Sequence, residues 1–204
     1  SVGFKVNCLR YYLGKNDFWR LVSQAENLSG PRVAGFFDIK IAGFDDAGFS
    51  AEQQLSNGIT TCLLKKNDRI IKARSWVSAT RNLIFIELSV LNKPETFSVD
   101  LTAPENTQAR LSSGKSGELD WLTRSFADSV DIVTKVAIAA RGINYPGLRF
   151  TLQPGKKWII ALAVESGFKP GKPLDHVINT VKSLTIDSLG GLMAEHNKWW
   201  NNYW

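Results

Sequence analysis

The sequence predicts a mostly β chain of antiparallel sheets packed face to face, and three observations predict it. Most of the chain alternates apolar and polar residues with period two, and turn markers separate these runs at short spacing. The third is an absence: no βαβ alternation builds a nucleotide-binding α/β fold. At 204 residues the length suits a single all-β sandwich. An apolar fraction of 44%, with seven Trp and eleven Phe, is enough for a sizeable core and excludes a disordered chain.

The first informative stretch is "RYYLGKNDFWRL", in which Tyr11, Tyr12, Phe18 and Trp19 surround a predicted turn holding Gly14, Asn16 and Asp17. "VAGFFDIKIAG" follows, with Phe37, Ile39 and Ile41 on one face and Asp38 and Lys40 on the other, the pattern of a half-buried strand. Asp45 and Asp46 fall in a Gly-flanked turn where exposed carboxylates are the default. Asn57-Gly58 and Asn67-Asp68 mark the next turns, and "RIIKARSWVSA" is a strand run between them and "NLIFIELSVLN". In the latter, Ile84, Ile86, Leu88 and Val90 point inward and Glu87 and Ser89 outward. After Asn92-Lys93-Pro94 come "TFSVDLTA", "DIVTKVAIAAR", the Tyr145-Pro146-Gly147 turn, "LRFTLQPG" with Pro154-Gly155, and "KWIIALAVES". From about Lys169 the period changes. "FKPGKP" is a break, after which Leu174, Val177, Ile178, Val181 and Leu184 recur at helical spacing. Gly190-Gly191 is expected to interrupt that helix before Leu192, Met193, His196, Trp199, Trp200 and Tyr203 continue the stripe. The division is a β body over 1–168 and a helical segment over 169–204.

A net charge of +6 invites a nucleic-acid reading, but the basic residues are scattered. Lys65-Lys66 and Lys156-Lys157 are the adjacent basic pairs, both beside turn signals, so solvated loop charge is expected and no nucleic-acid partner. No stretch approaches the roughly 18–20 apolar residues that cross a bilayer, and no membrane partner is expected. A signal-peptide pattern is missing at the start, and with Ser1 rather than Met there, processing is expected to have removed what preceded it. Cys8 and Cys62 each lie in an apolar strand-like run, which leaves buried thiols and a disulfide both open.

The catalytic inventory is thin. No G-x-S-x-G elbow and no H-E-x-x-H motif is present, and no second histidine stands at metal-ligand spacing, so no metal and no cofactor are expected. Asp175 is expected to cap a helix beside a solvated His176, and His196 to be a packed structural histidine on the aromatic stripe. Glycoside hydrolysis needs two carboxylates about 5–10 Å apart. Asp17, Asp38, Asp120, Asp128 and Asp131 offer candidates that sequence alone cannot pair. Asn27-Leu28-Ser29 fits a glycosylation sequon, which bears only on a eukaryotic secreted protein. The stretch around Lys15, Asn16, Asp17 and Trp19 mixes aromatic faces with amide and carboxylate groups, as a sugar site does; an ordinary strand end folded onto a core has the same mixture.

Several motifs together resemble one family. "YYLGKNDFW", "GFFDIKI", "SAEQQLSNGITTCLL" and "ARSWVSATRNLIFIEL" are similar to the N-terminal β-supersandwich domain attached to (α/α)6-barrel glycoside hydrolases. The likeness is to the fucosidase-like group and related glycosidase-like proteins of gut Bacteroidetes. The closing "HNKWWNNYW" resembles the linker that packs between sandwich and barrel. The Gly-Asn-Gly segment that leads into the first strand in that family is absent, which the resemblance implies is a missing piece. The resemblance implies a two-sheet antiparallel supersandwich with a short helical linker, not catalytic by itself, in a periplasmic or secreted protein. It implies a barrel partner carrying the catalytic carboxylates, so no catalytic residue is assigned here. Lys15, Asn16, Asp17 and Trp19 become the candidate carbohydrate contacts at the rim of that barrel's site. His196, Trp199, Trp200, Tyr203 and Trp204 become the interdomain face. Two alternatives stay open: the tail could fold back on its own sandwich, each large side chain contributing about 1.5–3 kcal/mol. The chain could also be a free-standing carbohydrate-binding module using Trp19, Tyr12 or an exposed Trp121 as a stacking platform, with oligosaccharide as its partner.

Overall fold

The structure, a computed structural model, describes residues 1–23, 29–105, 107–145, 147–168 and 171–204. The Asn27 sequon, Pro146 of the predicted turn, and Lys169 and Pro170 of the predicted break lie outside the described residues. The chain forms β1 (Val2–Lys5), β2 (Cys8–Arg20), β3 (Gly30–Ile41), β4 (Gly48–Gln54), β5 (Ile59–Lys66), β6 (Arg69–Val77) and β7 (Leu83–Val90). It continues with β8 (Glu95–Thr102), β9 (Arg110–Ser116), β10 (Leu119–Phe126), β11 (Thr134–Gly142), β12 (Arg149–Leu152) and β13 (Lys157–Gly167). Two helices, α1 (Pro173–Ser183) and α2 (Ser188–Tyr203), close it. The strands make two antiparallel sheets, a small one in the order β1-β2-β3-β8-β12 and a large one in the order β4-β5-β6-β7-β13-β11-β10-β9. This is the mostly β two-sheet sandwich with C-terminal helices that the sequence predicts.

Between the sheets lies the main core, built from Leu9, Phe37, Ile39 and Phe97 of the small sheet against Leu64, Ile71, Leu88, Ile138 and Trp158 of the large one. A second core sits on the opposite face of the large sheet. There Leu83, Phe85, Ala137, Ala139, Ala161 and Ala163 meet Val177, Val181 and Leu184 of α1 and its following turn, and Leu192 of α2. The alanines keep that face flat enough for a helix to lie on it. So β7 is buried on both faces near its start, and the outward polar positions Glu87 and Ser89 occupy only its far end. A strand covered by a second sheet and a helix carries apolar residues on both faces.

Three further expectations change with the structure. "GKND" is not a turn: β2 runs through it, and pairing with β3 shifts from Gly14↔Val33 to Trp19↔Pro31, so the intervening residues bulge out of the sheet. Gly190 and Gly191 lie inside α2, and the break between helices falls at Leu184–Asp187 instead. Asp175 does not cap α1; Lys172 holds that position with Pro173 next, and Asp175 sits in the first turn, where a carboxylate still meets the positive end of the helix dipole. His176 is exposed as expected.

Buried charge is tied down. Asp38 accepts two bonds of 2.7 Å from Arg10, and Glu95 accepts one of 2.7 Å from Arg69 Nε. The Arg69 guanidinium also donates to the carbonyls of Ala42 and Gly43, stitching the β3–β4 turn to the sheet beside it.

Cys8 and Cys62 are free thiols. Burial, and for Cys8 then Asp38, pushes each up to about 11 from 9.0. The thiolate is the reactive form, so at pH 8 both are expected to react roughly a hundredfold more slowly than an ordinary cysteine with a disulfide reagent, and fully on unfolding. Because the folded values are raised, this contribution to stability is present below pH 9 and is lost as the pH climbs from 9 through about 11. Equal rates for native and urea-unfolded chain would contradict it.

Candidate functional site

The β2 bulge decides what stands at one end of the sandwich. Freed from the ladder, Lys15, Asn16 and Asp17 project toward the β6–β7 loop and the end of β13, while Phe18 turns back into the core. Lys15 Nζ donates to Asn82 Oδ1 at 2.9 Å, and Asn82 Nδ2 donates to Glu165 Oε2 at 3.0 Å. Asp17 accepts from the Ser166 hydroxyl. Trp19 Nε1 donates to the Asn16 carbonyl, and the Trp19 carbonyl accepts from Thr134 Oγ1 at 2.6 Å, so this indole is held against its own bulge. Lys15, Asn16 and Asp17 thus border the depressions beside the bulge, whereas Trp19 lines neither of them.

Two adjoining depressions flank the bulge. One of about 410 Å³ is lined by Asp17, Lys135, Glu165, Ser166, Lys172 and His176. The other, about 340 Å³, is lined by Lys15, Asn16, Ser78, Thr80, Arg81 and Asn82. Asp17 and Glu165 both face the larger depression, but each already accepts a hydrogen bond from a neighbour, and polar recognition is the chemistry such groups offer. Among the described residues no three His, Cys, Asp or Glu side chains gather as a metal site. Asn82, Glu165, Ser166, Thr80 and Arg81 carry no local motif. Asn82 and Ser166 lie 67 and 149 positions from their partners on the bulge, Glu165 lies 83 from Asn82, and Thr80 and Arg81 lie 115 and 114 from Glu195 on α2, so only the fold brings them in.

The aromatic tail divides by face. His196 is fully buried, its Nε2 2.7 Å from the Asn57 carbonyl, and Trp200 rests on Gly58, so this face of α2 clasps the β4–β5 turn. Glu195 binds the Thr80 hydroxyl at 2.6 Å and Arg81 at 3.1 Å, and these two, the hydroxyl first, hold its carboxyl below the usual range. The other face looks outward: Trp199 is 40% exposed, Tyr203 63% and Trp204 72%. Trp199 and Tyr203 stack at 5.2 Å with their planes 14° apart, and Tyr203 meets Trp204 edge-on at 5.3 Å. The Trp204 N–H donates to the Trp200 carbonyl at 3.3 Å and its Nε1 to the Leu55 carbonyl at 3.1 Å; Leu55 itself is exposed. Of the other platform candidates, Tyr12 is 45% exposed and Trp121 is half-buried, its ring lying over Gly114.

No protein-family profile matches the chain, and no curated protein matches it. Among solved structures it is similar to one described as "Putative kojibiose phosphorylase from human microbiome", with a TM-score of 0.55 and 12% identity. The match takes in 97% of this chain and 31% of that one, so the chain spans under a third of that protein's length. At this identity the likeness is one of fold.

Proposed function

We propose that the chain is a non-catalytic β-sandwich domain of a glycosidase-like protein, and that it supports an (α/α)6-barrel catalytic domain through α2. The observation that carries this reading is the outward face of α2, where Trp199, Tyr203 and Trp204 form an exposed apolar surface. A helix committed wholly to its own sandwich buries its large aromatics; this one turns His196 and Trp200 inward and presents Trp199, Tyr203 and Trp204. The fold likeness to part of a longer glycoside phosphorylase chain supports the same reading. Lys15, Asn16 and Asp17 stand on the bulge as polar groups available to the rim of the neighbouring site, and the catalytic carboxylates belong to the barrel. A periplasmic or secreted location goes with this role.

The test is a triple substitution, Trp199→Ser, Tyr203→Ser and Trp204→Ser. The unsubstituted chain is expected to self-associate with rising concentration in sedimentation and to bind a hydrophobic dye. The triple variant is expected to be monomeric and dye-silent, with an unfolding midpoint unchanged within about 0.5 kcal/mol. A monomeric, dye-silent parent, or a variant that loses several kcal/mol, would show instead that the tail serves its own sandwich.

A further inference from the structure

The inner face of the large sheet changes character from one cross-strand row to the next. Residues paired directly across strands share a face. The register thus gives a bulky apolar row, Phe49–Leu64–Ile71–Val90, then a row with small residues, Ala51–Cys62–Ala73–Leu88. The third row is Gln53–Thr60–Ser75–Ile86, three polar side chains that run from exposed Gln53 on the edge strand to buried Ser75. Across from it stands Tyr11 of β2, 5% exposed; its hydroxyl lies beside Ser75 yet makes no hydrogen bond of normal geometry. As the rows shrink and turn polar, the sheets part into a cleft of about 290 Å³, lined by Tyr11, Tyr12, Gln53, Gly58, Thr60 and Ser75 among others. No side chain that lines it carries a charge.

We propose that this cleft binds a single neutral sugar ring. Its volume is at the small end of ligand pockets and suits one ring rather than a chain of them. The hydroxyls of Tyr11, Thr60 and Ser75 and the amide of Gln53 both donate and accept, which matches a ligand whose own hydroxyls do both. A sugar oxygen would supply the acceptor that the Tyr11 hydroxyl lacks, and a buried polar group without a partner is costly. Tyr12 borders the mouth through its backbone, while its ring packs edge-on against Phe36 on the outer face of the small sheet. Amine ligands are disfavoured, because no carboxylate lines the cleft and the Ser1 ammonium stands in its wall. The site uses none of the outward tail aromatics and does not rest on the docking role.

The experiment is a set of amide-resolved NMR titrations of the 204-residue chain with glucose, galactose and fucose in turn, and with glucosamine as a charged control. The expected result is a saturable shift of the Tyr11, Thr60 and Ser75 amides by at least one neutral sugar at millimolar concentration, with none from glucosamine. Tyr11→Phe and the Thr60→Val, Ser75→Ala double variant should each weaken that binding about tenfold without loss of folding. Absence of a saturable shift with all three sugars overturns the proposal. So do shifts that survive both variants, or shifts confined to Trp199 and Tyr203. None of these outcomes depends on whether the chain self-associates, so the two readings fail separately.

Discussion

Gly142→Ala is expected to cost about 4 kcal/mol or to prevent folding. Gly142 ends β11 in the interior, and a Cβ there would lie 2.1 Å from the Tyr145 carbonyl oxygen, 2.7 Å from Trp158 Nε1 and 3.1 Å from the Gly147 carbonyl oxygen. Two of the three neighbours are backbone, so no side chain can swing aside. The loop would have to lift instead, and it carries Tyr145, which stacks on Phe150 at 4.1 Å, while Phe150 leans on the fully buried Trp158 at 5.9 Å. That aromatic group joins β12 of the small sheet to β13 of the large one. Gly117→Ala is the control: its φ is +66° but nothing lies near, so only backbone strain of about 1 kcal/mol is expected. Urea denaturation of the two variants should separate them clearly; equal midpoints would show that the loop yields at no cost.

Arg124→Ala is expected to lose about 3 kcal/mol. Arg124 rises from β10 in the large sheet, 2% exposed, and reaches the small sheet to donate to the Val33 carbonyl and, at 2.8 Å, to Thr107 Oγ1. Its guanidinium sits 5.5 Å from the ring centroid of Phe18 and 6.0 Å from that of Phe126, and those rings stack on each other. Among the described residues no carboxylate forms an ion pair with it, and burial pushes its pKa downward. Val33 is the residue opposite Gly14 where the β2 bulge begins, so this one side chain fastens the bulge to the facing sheet. Arg124→Met keeps most of the volume and relieves the desolvated charge, so it should recover more than half of the loss. If Met and Ala are equally damaging, the hydrogen bonds to Val33 and Thr107 outweigh packing.

Period-two alternation made the strands legible where one face meets core and the other meets solvent, as in Phe37, Asp38, Ile39 and Lys40. It misleads at β7 because a helix covers the far face and buries Phe85, a layer that pattern alone does not announce. The β9–β10 hairpin escapes it for a different reason. "RLSSGKSGELDW" lies at a sheet edge where Ser and Gly replace apolar residues, so no alternation exists to be seen. Gly190-Gly191 reads as a break because each glycine costs a helix about 1 kcal/mol, but burial of Leu192 and His196 outweighs that locally. Lys15, Asn16, Asp17 and Trp19 were legible as a group because they are neighbours in sequence. Their partners Asn82 and Ser166 were not, since only the bulge and the sheet register bring them together. The Gln53–Thr60–Ser75 row is invisible for the same reason: three unremarkable polar residues align only once three strands are in register.

Gly58 belongs to two surfaces at once. Its φ of +63° turns the chain from β4 into β5, its Cα side is so close to Trp200 that a Cβ would lie 2.6 Å from that indole, and it also forms part of the cleft wall. The β4–β5 turn is thus a party wall between the helix that would meet a neighbouring domain and the space that would hold a sugar. Thermodynamic linkage makes any traffic across it symmetrical: the factor by which a docked domain changes sugar affinity is the factor by which the sugar changes docking. A support domain built this way would sense as well as hold, reporting sugar on one side of a single glycine to whatever leans on the other.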